Sequence, residues 1–299
     1  MRCVLLLTIL SYSFINGCGT SSSSSSSALI ATSISGVAAA GTPIINGTVT
    51  LKDSTGATRQ DTLDTQGNFN IETTGLVGPF RLKADGTSGG AAKTLYSVAT
   101  EAGTVHINPI TNIAVANIGQ LNDPKDVFEA TPGTAAISNI TTASISQASQ
   151  DIRNNLLNQL ETSGYSGANI DPFKGSYVAN GQGLDRIFDF LDVEVNKNSG
   201  AITVKNKIDN KTVAAVRRDN LAGIGASFQS SNVLDLTTRS ASEIANLIPT
   251  IPLSVAREVV IADAKPESSE SNSVPALLIG ATKIRNSIQI SSLPLDADY

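Results

Sequence analysis

The sequence predicts an α+β protein in which a seven-strand antiparallel β-sandwich over residues 33–107 is followed by a mainly α-helical domain over 108–299 with a β-hairpin near 193–216. Three observations carry this. Between residues 36 and 84 short runs alternate apolar and polar side chains, and the turn signals Asp53-Ser54-Thr55-Gly56 and Asp64-Thr65-Gln66-Gly67-Asn68 punctuate them. At Asn108-Pro109 the pattern changes character, with Asn as a cap and Pro at the first helical position. Asn196-Lys197-Asn198-Ser199-Gly200 then separates two short β-patterns, a hairpin signal. A chain of 299 residues has room for about two such units.

Composition narrows the function classes. Charged residues are 16% of the chain against about 25% in ordinary globular proteins, so much of the polar surface is built from Ser, Thr, Asn and Gln. The net charge is -5 and the 21 Lys and Arg are scattered. Binding to nucleic acid draws on a basic stripe that releases counterions, so that class is disfavoured. Trp is absent and aromatics make up 4%, which leaves few flat rings for stacking on bases or sugars.

The first 17 residues read as a leader. Arg2 supplies a positive start and Val-Leu-Leu-Leu-Thr-Ile-Leu over 4–10 an apolar run too short to span a bilayer. Cys3 lies in the leader, so after cleavage Cys18 is the only cysteine, with no internal disulfide partner. Gly19, Thr20 and seven serines, 21–27, follow at once; residues 18–32 read as a flexible tether. Ile15-Asn16-Gly17-Cys18 resembles the lipobox of bacterial lipoproteins, with Ile15 at the aliphatic position, Gly17 before the cut and Cys18 as lipid acceptor. The resemblance implies export and palmitate-type acyl chains that anchor the protein to a membrane, each buried methylene adding about 0.8 kcal/mol. Gly19 is not acidic, which by analogy with bacterial sorting points to the outer membrane in a Gram-negative source and to the plasma membrane in a Gram-positive one.

The β-region is expected to open with a strand at 34–38. Val49 and Leu51 face inward from the next strand, and 57–63 form a polar edge strand. Phe69 with Ile71, and Phe80 with Leu82 and Ala84, repeat the alternation, and 93–99 and 104–107 complete seven strands. Pro43-Ile44-Ile45-Asn46-Gly47-Thr48-Val49 and Asp64-Thr65-Gln66-Gly67-Asn68-Phe69 resemble the carboxypeptidase regulatory-like family, a transthyretin-like sandwich, with Asn46-Gly47 in place of the more usual Gly-Ala type step. The resemblance implies a structural or adhesive module without peptidase chemistry.

Several motifs invite chemistry. Asp53, Asp61 and Asp64 could hold calcium, but their spacing matches no EF-hand-like loop, and hairpin geometry explains Asp64 and Gly67. Gly86-Thr87-Ser88-Gly89-Gly90 matches G-x-S-x-G, yet it falls in a glycine-rich loop between β-patterns and not on a strand-to-helix turn. His106 is the sole histidine and has no acidic or cysteine partner at recognisable spacing.

In the helical region, 110–118 and 125–130 read as helices, the second opened by Asp123-Pro124. Residues 144–163 carry Ile145, Ala148, Ile152, Leu156 and Leu160 on one stripe that ends at Gly164. Residues 184–191 form a short helix on which Asp185 and Asp189, with Asp192 just beyond, read as a solvated face or cap. A second turn at 209–211 precedes 212–216, and 241–248 and 254–262 read as helices. The order of elements is similar to a recurrent layout among exported bacterial lipoproteins of unknown function. The expected role is that of a lipid-anchored envelope protein with a structural, adhesive or scaffolding role, without catalytic residues, cofactor or metal, and partnered by the membrane and by other envelope proteins or surface polysaccharide. Polysaccharide binding is the alternative, and a hydrolase using Ser88 or the helical carboxylates the second.

Overall fold

A computed structural model of the protein describes residues 32–247 except 168. The leader, Cys18, the serine run and the segment expected at 254–262 lie outside the described residues. Within them the chain is mixed α+β, with antiparallel sheets and seven α-helices.

Seven strands lead: β1 (Ser33–Val37), β2 (Ile45–Lys52), β3 (Thr58–Thr62), β4 (Asn68–Glu72), β5 (Phe80–Ser88), β6 (Ala91–Ala99) and β7 (Gly103–Thr104). They form a three-stranded sheet ordered β4-β1-β7 and a four-stranded sheet ordered β3-β2-β5-β6. The polar strand β3 lies at an edge, as its charged and hydroxylated residues require. One correction falls on β7. It pairs parallel with β1, so the strands are not all antiparallel. A second falls on 86–90: Gly86 to Ser88 belong to β5, and only Gly89 and Gly90, at φ +59° and +83°, turn the chain into β6. Two successive left-handed residues are what a two-residue hairpin needs, and glycine adopts them without cost.

Side chains from both sheets, among them Ile34, Val49, Leu51, Phe69, Ile71, Phe80, Leu82 and Leu95, fill one core. A second core covers the opposite face of the four-stranded sheet, through Tyr96 and Val98 of β6. Helix α1 (Pro109–Gly119) is its centre. Asn108 caps it with Oδ1 accepting from Ile110 N and Thr111 N at 2.9 Å each, and Thr111 Oγ1 accepts from Asn108 N in return. The helix is buried nearly all round, with Ile110, Ile113, Ala114, Val115 and Ile118 in the second core.

Around α1 lie α2 (Pro124–Glu129), α3 (Ala135–Ser138) and a continuous helical run of α4 (Thr142–Ile152), a π turn (Arg153–Leu157) and α5 (Asn158–Glu161). Ile145, Ala148, Ile152, Leu156 and Leu160 are all buried, and the wider π turn brings Leu157 into the core beside them. Helix α6 (Leu184–Phe190) feeds a second three-stranded sheet, β8 (Leu191–Val195), β9 (Ala201–Asn206) and β10 (Thr212–Arg217), so the expected hairpin gains a third strand. A 3-10 segment (Arg218–Ser227) and α7 (Ala241–Leu247) follow.

Arg81 ties the helices to the sheet. On β5 it is only 1% exposed, and its guanidinium donates to Phe128 O, Ala130 O and Asp53 O at 2.8 Å each, with a longer contact of 3.5 Å to Val127 O. Three of these carbonyls belong to the end of α2, where the helix leaves its last acceptors unpaired and its dipole favours a cation. Burial pulls the guanidinium below its ordinary value, while Glu129 and Asp53 offset that. Arg81→Ala leaves buried carbonyls unpaired and is expected to lower unfolding stability by about 3 kcal/mol. Arg81→Lys should lose less, since one ammonium keeps the charge but cannot reproduce the planar fork. Urea unfolding of the three proteins reads both values.

Candidate functional site

The acidic turns are structural. Asp53 Oδ1 accepts from Thr55 N, Thr55 Oγ1 and Ala57 N at 2.8–2.9 Å, and Oδ2 from Val77 N at 3.0 Å. Burial raises its pKa, but these bonds outweigh it and hold the group below the ordinary value. Asp64 is set in the same way: burial opposes, and bonds from Asn68 and Gln66 prevail. Gly67 supplies the φ of +77° that this turn needs. Asp61 Oδ2 accepts from Asn70 N at 2.7 Å, joining β3 to β4. The three carboxylates thus serve backbone N–H groups, and among the described residues no group of three or more His, Cys, Asp or Glu is placed to hold a metal ion.

Ser88 bonds to Thr42, through Oγ1 at 2.6 Å and the carbonyl at 2.9 Å, and so fastens the β5–β6 hairpin. His106 lies in a different environment. Its Nδ1 accepts from Val37 N at 3.2 Å, so the proton sits on Nε2, which donates to Gly175 O at 2.7 Å, while the ring meets Tyr177 edge-on. Burial pushes its pKa below 6.5, although the Gly175 bond and Asp171 oppose that.

The expectation of a solvated acidic face on α6 is corrected. Asp185, Arg186 and Asp189 are all buried, because the loop before the helix folds over it: Asp185 Oδ2 accepts from Gly181 N at 2.7 Å, and Arg186 Nε donates to Gly181 O at 2.8 Å. Asp192 is on β8, two residues from Glu194. The Asp192 charge, with burial second, raises the pKa of Glu194, a pairing that helical spacing did not indicate.

Clefts open to ligands lie among the described residues, two of them as follows. The first, about 480 Å³, lies where β5 and β6 meet α1, α2 and the β8–β9 hairpin, and is lined by residues including Lys83, Asp85, Tyr96, Asp123, Lys125 and Lys197. Its size falls within the range of small-molecule sites, though its walls are unusually charged. Lys83 pairs with Asp85 at 2.6 Å, and Thr94 Oγ1 donates to the same carboxylate at 2.6 Å. Glu129 accepts from Lys52 Nζ at 2.6 Å, which, with Lys83 and Lys125 nearby, holds it below the ordinary value against the effect of burial. Lys52 also lies 4.6 Å from the centre of the Phe128 ring. The second cleft, about 470 Å³, is lined by amides and hydroxyls without a charge, among them Asn117, Gln120, Asn139, Thr141 and Gln147.

Sequence reasoning missed the first cleft because its walls come from five elements, β5, β6, α1, α2 and the β8–β9 hairpin. The only signal was the run of outward polar residues Arg81, Lys83 and Asp85 on β5. Compared with protein-family models, curated proteins and solved structures, the chain matches none of them. No helix among the described residues is long and apolar enough to cross a membrane.

His106 yields a pH prediction. In the folded protein its pKa is depressed, so below about pH 6.5 the unfolded chain takes up a proton that the folded chain resists. Its contribution to stability is full above that pH and is lost as pH falls through the window toward the folded pKa, each full pH unit of depression being worth about 1.4 kcal/mol. Wild type should therefore unfold at lower urea concentration at pH 5.5 than at pH 7.5. His106→Gln should be less stable at pH 7.5 and lose that part of the slope.

Proposed function

We propose that this is a lipid-anchored cell-envelope protein with a structural, adhesive or scaffolding role. The observation that carries the reading is the sequence at its start: an apolar leader running into Ile15-Asn16-Gly17-Cys18, no further cysteine after Cys18, and a run of seven serines. The β-region fits a transthyretin-like sandwich of the carboxypeptidase regulatory-like kind, since β4-β1-β7 and β3-β2-β5-β6 share one apolar core. The groups that a hydrolase would draw on are engaged in holding the fold: Ser88 by Thr42, His106 by Val37 and Gly175, Asp185 by Gly181. A non-catalytic role makes use of all of them where they stand.

A second reading, binding of envelope polysaccharide, is favoured by the uncharged cleft between α1 and the α3–α4 segment, whose amides and hydroxyls match the donors and acceptors of neutral sugars. Calorimetric titration of envelope glycans separates the two: saturable binding that Gln147→Ala weakens supports this reading over the scaffold.

Anchoring has its own test. Cys18→Ala should move the protein from the detergent phase to the soluble exported fraction in phase partitioning, and equal partitioning of mutant and wild type removes the lipid anchor. Crosslinking on intact cells, with identification of the captured neighbours, should return envelope proteins if the scaffold reading holds.

A further inference from the structure

Residues 171–177, between α5 and α6, have no helix or strand, yet they bury the side chains of Phe173 and Tyr177. They form a strap held down at a few points. Asn108 Nδ2 donates to Pro172 O at 2.9 Å, and His106 adds two holds, its backbone N–H donating to Phe173 O and its Nε2 to Gly175 O, each at 2.7 Å. On its other side the same ring takes the N–H of Val37, on β1, at Nδ1. The imidazole is thus a clip between β1 and the strap.

The clip works in one protonation state. A neutral imidazole has one donor and one acceptor, and both are used here. A proton on Nδ1 would face the Val37 N–H, and turning the ring over puts a carbon there, which accepts nothing either. The new donor needs an acceptor, and the surroundings are poor in them. β1, α1 and residues 38–43 carry no ionisable side chain. The strap brings Asp171, whose charge favours the imidazolium but whose Oδ1 already accepts from Phe173 N and Lys174 N. It also brings Lys174, of the same sign as the imidazolium, 3.6 Å from Glu101. Tyr177 meets the ring edge-on, and its hydroxyl donates to Asp185 Oδ1 on α6, next to Arg186 in the chain. Burial is the largest influence on the ring, and it disfavours the charged form.

We propose that residues 171–177 are an acid-released strap clipped by His106: protonation of Nδ1 drives the ring away from Val37 N, and the strap lifts, uncovering Phe173 and Tyr177. The release is local, because the bonds it breaks are those of one imidazole, while the sheets and α1 keep theirs. In the closed protein the ring takes up a proton less readily than in the lifted strap, where it meets water. The strap is therefore closed above about pH 6.5 and opens as pH falls below it, the ratio of open to closed rising at most about tenfold per pH unit. This device does not depend on the lipid anchor or on the scaffold role.

Hydrogen exchange of the full chain, followed by mass spectrometry and expressed as protection factors to remove the pH dependence of the intrinsic rate, tests the strap. Between pH 7.5 and pH 5.0 the peptide covering 171–177 should lose protection several-fold, while those from β2 and β5 keep theirs. His106→Gln keeps one side-chain donor and one acceptor but cannot titrate, so it should show no such change. Asp171→Asn keeps the Oδ1 that Phe173 and Lys174 use and removes the charge that favours the imidazolium, so it should move the transition to lower pH. Protection at 171–177 that does not change with pH, or that falls equally in His106→Gln, overturns the proposal. A loss shared in equal proportion by β2 and β5 overturns it too, since that is global unfolding.

Discussion

A guanidinium buried between a β-sheet and the end of a helix constrains this structure more than any other single group. Arg81 must be charged to satisfy the carbonyls around it, and it can be charged inside the protein only because they are there. The position of α2 against β5 is fixed by this exchange. With α2 fixed, Lys52 reaches Glu129 and lies over Phe128, and Pro124 to Glu129 become one wall of the charged cleft. The same bond pattern explains why the outward face of the four-stranded sheet carries Arg81, Lys83 and Asp85 in a row with Arg81 buried and the other two partly exposed. It is roofed at one end by α2 and left open at the other as the cleft.

The helical half has a comparable logic around α1. A helix buried on nearly all sides has few exposed positions for charge, and α1 has none: its polar residues are Thr and Asn, of which Thr111 serves the cap and grips β6, Asn112 grips β6 and Asn117 donates to Arg218 O. Thr111 and Asn112 bind the backbone of Tyr96, which ends the exposed edge of β6 at that point and relieves it of unpaired groups. The low charge content of the chain is consistent with a structure in which much of the polar inventory is spent inside.

Features set by local chemistry were legible in the sequence. Asn108-Pro109 marks the start of α1, the alternation of Phe69 and Ile71 marks β4, and Asn196 to Gly200 marks the β8–β9 turn, each because the determining atoms lie within a few residues of one another. Features set by what arrives from elsewhere were not. Arg81 sits in an alternation that assigns it to solvent, and only the return of α2 makes it interior. Asp185 and Asp189 follow the spacing of an exposed acidic stripe, but the preceding loop covers them. The parallel pairing of β7 depends on where the chain re-enters the sheet, which a two-residue strand does not encode. The candidate cleft belongs to this second group, since Tyr96, Asn112, Asp123 and Lys197 come together only in three dimensions.

The place of β1 has a mechanical meaning. It is the first strand after the N-terminal segment and the middle strand of its sheet, held by β4 on one side across five register pairs and by β7 on the other. The parallel contact continues past β7 through Val105 and Ile107, whose N–H groups bond to Ser35 O and Val37 O. A pull applied at the N-terminus therefore enters a strand with neighbours on both flanks, which cannot unzip from an edge one bond at a time. Both ladders have to slide together, so the sheet resists traction applied at the start of β1.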